Sequence, residues 1–106
     1  MLQEAVNFNV EAGELAVSLE AEVRTLKAME WPSGAVDIED VKGLCPTGAR
    51  LIADYGRRTF NIKYGGRWNT RAWNRYGQAE SLRLVVLWAW EQHTISTGIP
   101  CHIKGL

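Results

Sequence analysis

Apolar and polar positions change period twice along the chain, and the changes divide it into elements. Ala49–Tyr55 reads as a strand, Arg57–Tyr64 as a second and Arg67–Asn74 as a third. Gly56 marks the first turn, and Gly65-Gly66 is a two-residue hairpin signal. Gly77 closes the third strand. Beyond it the period becomes helical from Gln78 to Thr94, with Gly98 and Pro100 as the stop. The helix is apolar almost all round between Leu84 and Trp90. A helix that covers one sheet needs only one apolar stripe, so a second partner is expected on its far side.

The part before the sheet is less regular. In residues 10–30, Leu15, Leu19, Val23 and Leu26 fall on one helical face, with Asn9 as a cap and Trp31-Pro32 as the stop. The same stretch also alternates through Val6, Phe8 and Val10 and again through Leu15, Val17, Leu19, Ala21 and Val23, which is the pattern of a β-hairpin turning at Gly13. Helix is the favoured reading and hairpin the alternative. Residues 32–48 carry Pro32, Gly34, Gly43, Pro46 and Gly48 and read as a connector with one helical turn near Ile38–Lys42. The expected fold is α+β: a three-stranded antiparallel sheet packed on one long C-terminal helix, preceded by the N-terminal segment. The expected division is 1–46, acidic segment and connector, and 47–106, the β-β-β-α domain. The N-terminal segment, folded back or donated by a second chain, is the expected cover for the far side of the helix. Trp88 and Trp90 are then candidate partner-interface residues, and a homodimer is one way to use them.

Charge sharpens this division. Residues 1–43 hold nine acids against three bases, and residues 44–106 hold nine bases against three acids, so a neutral chain is split into halves of −6 and +6. Such a split suits a basic face for a polyanion, an acidic segment lying over it, or both. In the second case the acidic segment is autoinhibitory. The first fifteen residues contain Glu4, Glu11 and Glu14 and no Lys or Arg, unlike a secretory signal. The longest apolar run, Leu84–Trp90, is far short of the ~20 residues that span a bilayer. With two isolated cysteines, Cys45 and Cys101, and no glycosylation sequon, a cytoplasmic location with reduced thiols is expected.

Strand alternation proposes a binding face. In the second strand Phe60 and Ile62 should meet the helix, turning Thr59, Asn61 and Lys63 outward. In the third, Thr70 and Ala72 are small and suit the covered side, which would turn Arg67, Asn69, Arg71 and Trp73 outward. Arg58, Lys63, Arg67, Asn69, Arg71 and Trp73 are therefore the candidate nucleic-acid-binding residues. Guanidiniums pair phosphates or guanine edges, amides read adenine, and an exposed indole packs on sugars or bases.

Thr47-Gly48, three Gly-separated strands, Arg71-Ala72-Trp73, and Tyr76-Gly77 followed by Ala79-Glu80 and an apolar helix carry a resemblance. Over about residues 47–95 the chain resembles the APETALA-type, ethylene-response-factor-like DNA-binding domain, which has short phage and integrase-associated relatives. The resemblance implies a sheet laid in the major groove of duplex DNA, with Arg71 and Trp73 at the positions of that family's Arg-x-Trp contacts.

No residue pattern supports catalysis or a cofactor. Cys45, His93, Cys101 and His102 lack metal-ligand spacing, and no orienting third residue accompanies a Cys–His pair. There is no phosphate-binding glycine loop or paired-carboxylate arrangement. The expectation is a small non-enzymatic protein of phage or mobile-element origin that binds duplex DNA. The alternative is a phage-encoded inhibitor or adaptor, anti-CRISPR-like, acting on a host protein or nucleoprotein complex. Zero net charge and the surplus of Trp and Arg, which favour protein hot spots, support the alternative.

Overall fold

The computed structural model describes the backbone of residues 14–16 and all of residues 29–106. In chain order the elements are β1 (Glu14–Ala16), β2 (Met29–Glu30), a 3-10 turn (Ile38–Val41), β3 (Arg50–Asp54), β4 (Thr59–Tyr64), β5 (Arg67–Ala72), a helical turn α1 (Trp73–Tyr76), the helix α2 (Gln78–Thr97) and β6 (Ile103–Lys104). The main sheet is antiparallel in the order β1-β3-β4-β5, and β2 pairs with β6 in a separate parallel pair. The three-stranded antiparallel unit β3-β4-β5 packed against a long C-terminal helix is the α+β architecture expected from the sequence.

Each element has a local cause. Gly65 and Gly66 both take positive φ, 61° and 79°, as a two-residue hairpin turn requires, and they bring Tyr64 opposite Arg67. The 3-10 turn is held by a reciprocal capping box. Asp37 accepts from the Ile38 N–H at 2.9 Å, and Asp40 accepts from the N–H groups of Val36 and Asp37 at 3.0 and 3.1 Å. No breaker stands between Thr94 and Gly98, so α2 runs one turn past its expected end. It stops where left-handed Gly98 (φ 77°) donates its N–H to the Thr94 carbonyl at 2.8 Å.

Two expectations need correction. The third strand ends at Ala72, not Asn74. The chain coils at Trp73 because burying the indole outweighs continuing an edge strand: the Trp73 ring lies 5.2 Å from Phe60 and 6.2 Å from Tyr55, and its backbone N–H donates to Arg58 at 2.9 Å. In the N-terminal part, Glu14–Ala16 is a strand paired with Arg50–Ile52, not helix. Adding a strand satisfies the free edge of β3, which local helix propensity does not do. The remainder of the helix-or-hairpin expectation for residues 10–30 lies outside the described residues, except Met29–Glu30, which is strand β2.

The core lies between sheet and helix and extends into the connector. Leu51, Ala53, Phe60 and Ile62 of the sheet are buried with Leu82, Val85, Val86, Ala89 and Trp90 of α2, and with Ala35, Ile38, Val41, Leu44 and Cys45. The buried residues of α2, Ser81, Leu82, Val85, Val86, Ala89, Trp90 and His93, fall on one half of the helix, and among the described residues the connector and the C-terminal tail meet the border of that half. Trp90 donates its indole N–H to the Leu44 carbonyl at 2.8 Å, and Arg83 donates to the Leu106 carbonyl at 2.9 Å. Trp90 is only 1% exposed and is core, which removes it from the candidate interface; Trp88 is half-buried against the same cluster. The physical reason is length: the connector supplies enough apolar side chains to pack beside Trp90.

Candidate nucleic-acid interface

Register decides which side chains share a face. Residues directly opposite one another in an antiparallel pair point to the same side of the sheet. Tyr64 faces Arg67, Ile62 faces Asn69 and Phe60 faces Arg71 across β4 and β5. Phe60 and Ile62 are wholly buried under the helix, so Arg67, Asn69 and Arg71 lie on the helix side. The outward placement of Arg67, Asn69, Arg71 and Trp73 is thus overturned. Arg67 reaches α2, donating to the Gln92 amide oxygen at 3.3 Å, and Arg71 donates to Asn69 at 3.1 Å. They remain at the periphery because β5 is the sheet's edge, where long polar side chains run past the helix to water.

The opposite, open face carries three cross-strand rows. Arg50, Lys63 and Trp68 form the first; Ile52, Asn61 and Thr70 the second; Asp54, Thr59 and Ala72 the third. Lys63, expected outward, is there, with its ammonium 5.8 Å from the Trp68 ring centroid. The Asn61 amide donates to Thr59 at 3.1 Å and accepts from Thr70 at 2.7 Å. Trp68, which alternation with Thr70 and Ala72 puts on the covered side, is 51% exposed on the open one. The signal for it was present. A two-residue Gly-Gly turn pairs Tyr64 with Arg67, which fixes the parity of every later position in β5.

Cations gather around β5 from both sides. Beyond Lys63, Arg67 and Arg71, Arg75 of α1 joins them, and the guanidiniums of Arg71 and Arg75 lie 5.4 and 5.5 Å from the Tyr76 ring centroid. Arg75 holds the Tyr76 phenol below its ordinary pKa against a smaller opposing effect of burial, and Arg71 adds a lesser lowering. Among the described residues the ion pairs are Arg57 with Asp54 and Arg83 with Glu80; none of the four cations around β5 lies at salt-bridge distance from a described carboxylate. Arg58 is exposed in the β3–β4 turn at a φ of 55°, its carbonyl accepting from the Trp73 N–H.

The groups considered for other chemistry do not converge. Cys45 is buried, and burial pushes its thiol up to about 12, whereas Cys101 is exposed. His93 is buried on α2, where its Nδ1 pairs with the Tyr64 hydroxyl at 2.7 Å and its ring meets Trp90 edge-on. Among the described residues no three His, Cys, Asp or Glu side chains are grouped to hold a metal, and no helix is long and apolar enough to cross a membrane. Comparison with family models, curated proteins and solved structures yields no match.

Proposed function

We propose that this chain is a non-enzymatic nucleic-acid-binding protein of phage or mobile-element type, acting in the cytoplasm, whose contact surface follows both sides of edge strand β5. The observation that supports this reading is the set Lys63, Arg67, Arg71 and Arg75. Four cations surround one short strand, held by amides and aromatic rings with no described carboxylate to neutralise them. Such a set offers phosphate contacts at low ordering cost, because each side chain is already supported. The register turns Arg67 and Arg71 to the helix side of an edge strand, so the phosphate backbone rather than a base-reading face is their natural target.

The test is binding of fluorescein-labelled random 15-mers, duplex and single-stranded, followed by anisotropy between about 50 and 300 mM salt, where each phosphate contact adds close to one unit of slope. Arg67→Ala, Arg71→Ala and Arg75→Ala should each weaken binding and lower the slope by about one contact. Absence of binding at ~50 mM salt, or a flat salt dependence, refutes the reading. The second reading, an inhibitor or adaptor for a host protein, is supported by a different place. An apolar groove of about 460 Å³ lies along α2 beside Leu87, Thr94, Ile95 and Cys101, and Ile95 is 79% exposed. Capture of a host protein that survives loss of the β5 arginines would favour it.

A further inference from the structure

We propose that the open face of the sheet holds one unstacked nucleobase of a single-stranded nucleic acid, stacked on the Trp68 indole. This inference rests on the nucleic-acid reading above and names the form of ligand that reading would take. Trp68 stands on the face opposite the helix, half exposed, with Lys63 beside it in the same cross-strand row. An indole left in water on a sheet keeps most of its apolar ring without a partner. Bases inside a duplex are stacked on one another and show only their edges to a protein. Bases of a single strand can be splayed out and laid flat on an aromatic ring.

The surroundings give that base a direction. Trp68 also borders a groove of about 640 Å³ on the open face, with Ile52, Asn61, Asp54 and the backbone of Gly56 along it. Both ends of the Asn61 amide are engaged by Thr59 and Thr70, so Asn61 is a firm floor. The Asp54 carboxylate accepts from the Arg57 N–H at 3.0 Å and stands in the row farthest from Trp68. Its oxygens, one of them 4.0 Å from the Arg57 guanidinium, can accept from base N–H groups, so the base points toward Asp54. The phosphates then lie at the hairpin end, near Lys63. Neighbouring strands are about 4.8 Å apart, so Lys63 is within reach of the phosphate of a base stacked on Trp68. The cation–π contact of Lys63 is exchanged for a phosphate contact when the strand arrives.

The experiment compares one mixed-sequence 15-mer, single-stranded and as its duplex, binding the full chain and the variants Trp68→Ala, Trp68→Phe and Lys63→Gln. The single strand should bind the wild type at least about tenfold more tightly than the duplex, and Trp68→Ala should weaken single-strand binding about 5- to 150-fold, the value of one stacked base. Trp68→Phe should recover most of that loss, and Lys63→Gln should lower the salt slope while keeping the preference for single strands. Since Trp68 is outside the core, the thermal transition of each variant should match the wild type, which separates lost stacking from lost fold. Equal binding of both forms with no effect of Trp68→Ala overturns this inference and leaves the phosphate-binding reading intact. No binding of either form overturns both.

Discussion

Trp90→Phe tests whether α2 is closed by the chain's own connector. The indole is 1% exposed and donates to the Leu44 carbonyl at 2.8 Å. Phenylalanine keeps most of the ring but removes the donor and part of the volume. Leaving the buried carbonyl unsatisfied costs about 1–3 kcal/mol. The missing ring atoms leave a small void, costing about 1 kcal/mol more. A total near 3 kcal/mol is a large fraction of the roughly 5–15 kcal/mol that stabilises a domain. At roughly 4–5 °C per kcal/mol for a domain of this size, Tm should fall by about 12–15 °C. Trp88→Phe, at a half-buried position, should cost no more than about 1 kcal/mol. Thermal and urea unfolding followed by circular dichroism would measure both. A Trp90→Phe shift under about 3 °C, or equal to that of Trp88→Phe, would refute the account of the Leu44 bond and return Trp90 to the surface.

Two further outcomes follow from buried and paired groups. One thiol, Cys101, is exposed and should react with a disulfide reagent in the native state, more slowly than a free thiol because partial burial raises its pKa. Cys45, buried with its thiol pushed up to about 12, should react only on unfolding; two thiols reactive in the native state would contradict its burial. Burial first, then the hydrogen bond to Asp37, raises the Tyr55 phenol to about 12 from an ordinary 10, so the folded state holds that proton more tightly. Its stabilisation is complete below pH 10 and is lost as pH rises through 12. Tyr55→Phe should therefore flatten the fall of the urea midpoint between pH 10 and 12, and a parallel fall in both proteins would count against it.

Legibility from sequence differed by element. The order of strands and the long helix could be read because Gly56, Gly65-Gly66, Gly77 and Gly98 interrupt clear periodic segments. Four of them, Gly65, Gly66, Gly77 and Gly98, sit at positive φ where a side chain would be strained. The covered face of β4 was legible because Phe60 and Ile62 are apolar at a period of two. β5 was not, since Arg67–Ala72 contains one large apolar residue and that residue faces solvent. Hydrophobic alternation carries no face information in such a strand.

What the amino-acid order determines alone is local: where the chain turns, which segments alternate, where the helix stops, and that the cations collect after residue 43. These follow from backbone sterics and composition, which act between neighbours. Which side of the sheet each arginine takes, that Trp73 leaves the strand, and that Leu44 closes over Trp90 depend on contacts between distant residues. Hairpin parity couples them to positions already committed to the core, so tertiary structure turned Arg67 and Arg71 to the helix side and left Trp68 on the open face.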